Sequence, residues 1–411
     1  MGLTYLLFGV HPCMQRRGVH SRMESMQKIL GRFAAVAGDS LAYAREWKER
    51  TGRLVIGSFP MHFPIELAHA AGALPVIIQE ADDPITDGEG AVFSFYCGYN
   101  RSVADQALKG RFNFLDAIMF SDHCVQLLGT ADIVRWHAPE LPILFEQPVS
   151  SLDMKWALDE TRAVYEMLKK DVEELLGVTV SKEALNASIT LYNRGRRLMR
   201  RLYELRIAGN VGLSARQMLH VIKSAMVMDR EEHTALLEEL VAQAEANPTQ
   251  ASNAMPVYLS GHLCQAPKLE LLDLIEETGT IVVGDDLYHG YRYIASDVPE
   301  TDDPVAALAN WYIDKNAKVP CPTRADGDAD WDDFLLRDVQ RTGAEGIIVL
   351  VAKFCEPHMY YYPEIKDAFD AAGIALLKLE TEHDSMPFEA FKTRVETFVE
   401  VARRKRSVAA A

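Results

Sequence analysis

Short apolar runs recur in the first and last thirds of the chain, each closed by glycine, proline or charged residues. In the first third they are "RLVIGSF" (53–59), "LPVII" (74–78), "AIMFSD" (117–122) and "LPILFEQ" (141–147). The last third repeats the pattern with "PVYLSG" (256–261), "TIVVGDD" (280–286), "GIIVLVAKF" (346–354) and "IALLKLETE" (374–382). Their length and β-branched content predict strands, with helical patterns between them. One such helix is "PIELAHAAGA", where Pro64 suits a first turn that needs no amide hydrogen. Strands and helices in alternation predict an α/β fold with parallel sheets.

From Ser151 to about Asn247 the strand signal disappears. "LDMKWALDETRAVYEMLKKDVEELLG" and "SKEALNASITLYNRGRRLMRRLYELR" repeat apolar residues with the period of an amphipathic helix. The pattern divides the chain into an N-terminal α/β domain (26–150), a helical connecting segment (151–250) and a C-terminal α/β domain (251–411). Residues 1–25 hold a short apolar patch with no charged start and too little length to span a membrane. Met23 or Met26 is an alternative start, so this stretch is expected to be an extension without a role, and Cys13 with it.

Composition narrows the function. A chain of 411 residues exceeds one ordinary core, and 48% hydrophobic with 25% charged residues is the make-up of a globular protein. A net charge of −16 argues against nucleic acid as a partner, which needs a basic face. The basic runs at Arg194–Arg206 and in "RRKRS" read as solvated helix faces. Six cysteines without the dense spacing of a secreted scaffold, and no export signal, predict a reducing cytoplasmic location.

In open parallel sheets, ligands bind beyond the carboxyl ends of the strands. Four stretches fit that position: "GSFPMHFPIE", "SDHC", "GDDLYHGYRY" and "KFCEPH". The chain has no phosphate-binding loop, no G-x-G-x-x-G, no H-E-x-x-H and no C-x-x-C, so a metal site would be assembled from distant segments. Cys97 in "FSFYCGYNRS", Cys124 in "FSDHCVQLLG" and Cys355 in "AKFCEPH" stand at element boundaries among glycine, aromatic and polar residues. Read singly, each is better explained as a small buried residue than as a ligand. Cys264 and Cys321 have similar individual merits, and the pattern alone does not separate three from five.

The succession of "GSFPMHFPIELAHAAGALPV", the two early cysteines, "VVGDDLYHGYRY", "KFCEPH" and "TRVETFVE" resembles the benzoyl-CoA reductase and 2-hydroxyacyl-CoA dehydratase family, in matching order from about Leu54 to Ala402. The resemblance implies two Rossmann-like domains with a [4Fe–4S] cluster in the cleft between them, bound by Cys97, Cys124 and Cys355. Cys264 and Cys321 match no ligand of that pattern and revert to the structural reading. Three thiolates leave one iron of a cube for water or substrate, as three-ligand zinc sites keep an open position. Four cysteines would suit electron carriage alone.

"MHFPIELAHAAGALPV", "DDLYHGYRY" and "KFCEPHMYYYP" look closest to the C (gamma) subunit of ATP-dependent benzoyl-CoA reductase. The implied reaction is one-electron reduction of benzoyl-CoA to a cyclohexadiene-carboxyl-CoA, and the alternative within the family is radical dehydration of a 2-hydroxyacyl-CoA. Both pass through a ketyl-like radical. Plant-type ferredoxins sit near −400 mV and clusters reach about −700 mV, a gap of ~300 mV or about five powers of ten per electron. ATP must close it, and this chain has no loop for ATP. Hydrolysis is therefore expected in ATPase activator subunits, with reduced ferredoxin as electron source and a second cluster-bearing subunit of the same family as partner.

Ring reduction also needs protons. His62 and Glu66, four residues apart where strand passes into helix, are the candidate acids; the structural alternatives are a core or surface histidine and service to the helix dipole. His123 and His358 are weaker candidates that would orient loops or bond to cluster sulfur. Asp285, Asp286 and Arg292 either line the cavity or form a structural Asp–Arg pair, and Tyr360 to Tyr362 supply an aromatic wall or a domain contact. The accounts outside the family's catalysis are a non-catalytic electron-transfer subunit and a structural zinc protein. Three scattered cysteines without a compact clip argue against the second.

Overall fold

The computed structural model describes residues 12–249, 253–327 and 329–409, with side chains from Glu24 to Lys405. Cys13's side chain and most of the N-terminal extension lie outside that description. All eight apolar runs form strands. β1 (Val55–Ser58), β2 (Leu74–Ile77), β3 (Ala117–Ser121) and β4 (Ile143–Glu146) make one sheet in the order β2-β1-β3-β4. β5 (Met255–Gly261), β6 (Thr280–Asp285), β7 (Gly346–Ala352) and β8 (Ala375–Thr381) make another in the order β6-β5-β7-β8. Every pairing is parallel. β7 stops before its apolar run does for a local reason: after Ala352, Phe354 takes φ 65°, which a ladder cannot accommodate.

Helices fill the rest. α1 (Pro12–Gly38) and α2 (Ser40–Thr51) precede the first sheet, and α3 (Ile65–Ala70), α4 (Gly98–Leu108) and α5 (Val125–His137) alternate with its strands. α6 (Ala157–Leu176), α7 (Lys182–Ile207), α8 (Ala215–Ala225) and α9 (Arg230–Ala246) occupy the strandless middle. α10 (Leu269–Glu277), α11 (Tyr291–Ile294), α12 (Pro304–Lys318), α13 (Trp331–Thr342), α14 (Glu356–Ala371) and α15 (Phe388–Ala409) accompany the second sheet. Pro64 stands one position earlier than expected, at the N-cap of α3. Among the described residues no helix is long and apolar enough to cross a membrane.

The largest core joins both faces of the first sheet to the middle helices and also takes in Leu308, Trp311 and Tyr312 of α12. α12 lies late in the chain yet packs on α6, where the buried Lys315 donates to the Met61 carbonyl at 2.8 Å and Tyr312 to that of Val149 at 2.6 Å. Two smaller cores cover the faces of the second sheet. In both sheets the strand order reverses between the first strand and its later neighbour, β1 beside β3 and β5 beside β7. Connections there leave on opposite sides, so a crevice opens at the carboxyl ends.

Candidate functional site

The crevices of the two sheets share one cavity of about 440 Å³. Cys97, Cys124, Cys264 and Cys355 all border it, in company with Gln126 and Thr323. Cys97 is the N-cap of α4, Cys124 of α5 and Cys355 of α14. None of the three makes a side-chain cap bond. Three helices thus point their positive ends and first amides at the space the thiols face, a setting that favours thiolate and other anionic charge. Backbone strain concentrates just beyond the carboxyl ends of three strands. The non-glycine residues with positive φ among those described are Met61 after β1, His262 after β5 and Phe354 after β7. Such conformations cost about 1–3 kcal/mol each and persist where surrounding contacts fix them, commonly at functional sites.

Gln126, on the first turn of α5, ties these loops together. Its Oε1 accepts from the Cys97 amide at 2.8 Å and its Nε2 donates to the Phe354 carbonyl at 2.9 Å. One side chain therefore fixes the backbone at Cys97 and beside Cys355 from a position two residues past Cys124. Asn100 Nδ2 donates to Cys97 Sγ at 3.2 Å, and Thr130 Oγ1 donates to Asn100 Oδ1 at 2.9 Å.

Burial pushes the Cys124 thiol up to about 12 and those of Cys97 and Cys355 up as well. Without a metal these groups stay protonated; soft cations or an iron–sulfur centre would replace the protons. A second set, His62, His123 and Cys321, brings three buried ligand atoms within 4.8 Å of one another. Its chemistry suits a metal ion poorly. Burial, followed by the charge of Arg324, holds both imidazoles well below their usual range, His123 at about 3, and Lys315 and Arg292 add to it. Those cations would repel another. The rings instead bond to each other, His62 Nε2 to His123 Nδ1 at 3.1 Å, and Thr323 Oγ1 reaches His123 at 3.2 Å.

His62 and Glu66 do not converge on the cavity. His62 is fully buried one hydrogen bond behind it, through His123, which does line the wall. Glu66 is directed to the helical layer, where its carboxylate is buried against the Arg196 guanidinium of α7. Four residues bring two side chains to one face only inside a helix, and α3 starts after His62. His358 is buried against Trp331, ring centroids 5.0 Å apart, and does not border the cavity.

Asp286 and Arg292 form the structural pair. They are 3.1 Å apart; Arg292 also donates to the carbonyls of Val319 and Pro320, and Asp286 accepts from Trp331 Nε1 at 2.6 Å. Asp285 accepts from Tyr203 at 2.6 Å, and burial raises its carboxyl to about 6. Tyr360 and Tyr361 line the cavity, Tyr360 being 81% exposed, whereas Tyr362 lies beside Lys378.

Sequence reasoning misses Gln126 and sets Cys264 aside. No sequence signal marks Gln126, whose partners are backbone groups 29 and 228 positions away. Cys264 has one: "SGHLCQ" also ends a strand, the fifth.

Residues 60–402 match the family described as "2-hydroxyglutaryl-CoA dehydratase, D-component". The lactoyl-CoA dehydratase beta subunit of Anaerotignum propionicum is 29% identical over 381 residues, 92% of this chain and 100% of the relative. The C subunit of the benzoyl-CoA reductase of Thauera aromatica is 26% identical over 381 residues, 92% of this chain and 98% of the relative. The (R)-phenyllactyl-CoA dehydratase beta subunit of Clostridium sporogenes is 24% identical over 378 residues, 92% of this chain and 100% of the relative.

Proposed function

The chain belongs to the 2-hydroxyglutaryl-CoA dehydratase D-component family, and from that we propose that it is the iron–sulfur subunit of an ATP-dependent enzyme that drives one electron into an acyl-CoA thioester. The observation that carries the reading is the placement of Cys97, Cys124 and Cys355 at three helix N-caps around one cavity. Their donors are soft, the first amides of three helices face the same space, and the cavity adjoins buried apolar walls, a setting suited to an anionic, strongly reducing [4Fe–4S] cluster. When bound, such a cluster supplies low-potential electrons. The chain's own residues hold the thiols in place and limit the access of water.

Reductive dearomatisation of benzoyl-CoA is the first reading, supported by "DDLYHGYRY" and "KFCEPHMYYYP" and by the relation to the C subunit of a benzoyl-CoA reductase. Dehydration of a 2-hydroxyacyl-CoA is the second, favoured by 29% identity to a lactoyl-CoA dehydratase beta subunit over that protein's whole length. Either needs a second cluster-bearing subunit, an ATPase activator and reduced ferredoxin. An anaerobic assay of the assembled enzyme, with ATP and a reduced donor, separates them. Benzoyl-CoA should yield a cyclohexadiene-carboxyl-CoA in the first case and 2-hydroxyacyl-CoA an enoyl-CoA in the second. No ATP-dependent turnover of either thioester would sink both.

A further inference from the structure

We propose that Asn100 is a positioning residue that sets the reduction potential of the centre held by Cys97, Cys124 and Cys355, through one N–H···S bond to Cys97. The inference rests on the reading of those three as cluster ligands. Asn100 stands three residues after Cys97, on the first turn of α4, and is buried. A polar side chain at that position ordinarily turns back to the amide of the N-cap residue. Here Gln126 Oε1 already takes the Cys97 amide at 2.8 Å, and Asn100 reaches the sulfur instead, Nδ2 to Sγ at 3.2 Å.

Proton count fixes which way the Asn100 amide faces. A ligating sulfur is a thiolate and only accepts, so it takes the NH2 end. Oδ1 then needs a donor, and the fully buried Thr130 Oγ1 stands 2.9 Å away on α5. The same hydroxyl lies 2.9 Å from the Gln126 carbonyl oxygen, but its one hydrogen serves one acceptor at a time. Cys97 is alone in this respect. Among the described residues no side chain hydrogen-bonds the sulfur of Cys124 or Cys355. Gln126, on the same cavity wall, spends both ends of its amide on backbone groups.

One-electron reduction of the centre, with reduced ferredoxin as the source by way of the activator, breaks no bond and moves no proton at Asn100. It adds negative charge that the sulfurs share. In a buried site the Asn100 N–H stabilises that added charge, favours the reduced form and raises the potential.

The test is an anaerobic redox titration of the purified complex, read by EPR, for the wild type, Asn100→Leu, Asn100→Asp and Thr130→Val, with iron and sulfide measured on each. The second subunit's cluster is unaltered, so its wave is the internal reference. Asn100→Leu should move one wave to lower potential by about tenfold in the reduction equilibrium, ~59 mV for one electron, and leave the other in place. Asn100→Asp, which turns an acceptor toward the sulfur, should move it further. Thr130→Val, which frees the amide to turn, should move it less. An unmoved wave in Asn100→Leu at full iron content would overturn the proposal. If the Asn100 variants lose the cluster, Thr130→Val decides: a shifted wave at full iron content supports the proposal and an unshifted one overturns it. Loss of iron from all three would also overturn it, since Asn100 would then hold the centre in place rather than tune it. A wild-type complex to which this chain adds no iron or sulfide would instead sink the cluster reading itself.

Discussion

Gln126 and Glu66 are both buried polar side chains near the middle of the molecule, yet they carry opposite expectations for function. Gln126→Leu leaves the Cys97 amide and the Phe354 carbonyl without their partner. Each unsatisfied buried group costs about 1–3 kcal/mol, so a lowered denaturant midpoint is expected, together with less iron per chain. A variant with wild-type iron content would remove Gln126 from the site. Glu66→Gln breaks a buried pair with Arg196 and should cost about 3–5 kcal/mol in chemical denaturation. If it folded with wild-type stability but lost turnover, the sequence-based expectation of a catalytic Glu66 would return. Thiols are legible in a sequence because few residue types can ligate soft metals. A glutamine that binds backbone groups is not, since its partners are fixed only by the fold.

Strands were legible because eight short apolar runs leave little else to form, and the runs ending at Asp122 and Phe354 stop within two residues of where β3 and β7 end, at Ser121 and Ala352. The packing of α12 was hidden, because periodicity shows that a helix has an apolar face but not which sheet receives it. The turn after β5 shows what an element end can store. Gly261→Ala would drive a methyl into the Leu350 carbonyl, whereas Gly343, the C-cap of α13 at φ 70°, has nothing within 4 Å of its added Cβ. Gly343→Ala should therefore cost about 1 kcal/mol from backbone conformation alone. Gly261→Ala should exceed it by roughly 2 kcal/mol or more, because a neighbouring strand must move. Equal denaturation midpoints would show that the β5 turn is not constrained.

Across the whole molecule, the two halves are joined by ionic and polar contacts around the cavity. Arg101 of α4 pairs with Glu382 beyond β8, and His383 pairs with Glu80 beyond β2. Burial opposes a charge on His383, but its bond to Glu80 prevails and its pKa lies above the ordinary histidine value. Since the folded value is the higher one, this contact contributes fully below the unfolded pKa of about 6.5 and is lost as pH rises through the folded value. Unfolding followed from about pH 6 to about pH 9 should show that loss in the wild type and a flatter profile in His383→Gln. Identical slopes would contradict it.

Iron, acid-labile sulfide and visible absorption of the anaerobically purified complex, compared between wild type and Cys355→Ser, test the account most directly. In the wild type this chain should contribute about four irons and four sulfides to the complex, and the variant should lose most of that contribution and its share of the absorption, while the second subunit's cluster remains. A Cys355→Ser protein with undiminished iron and an unchanged spectrum would contradict a centre shared between the two sheets.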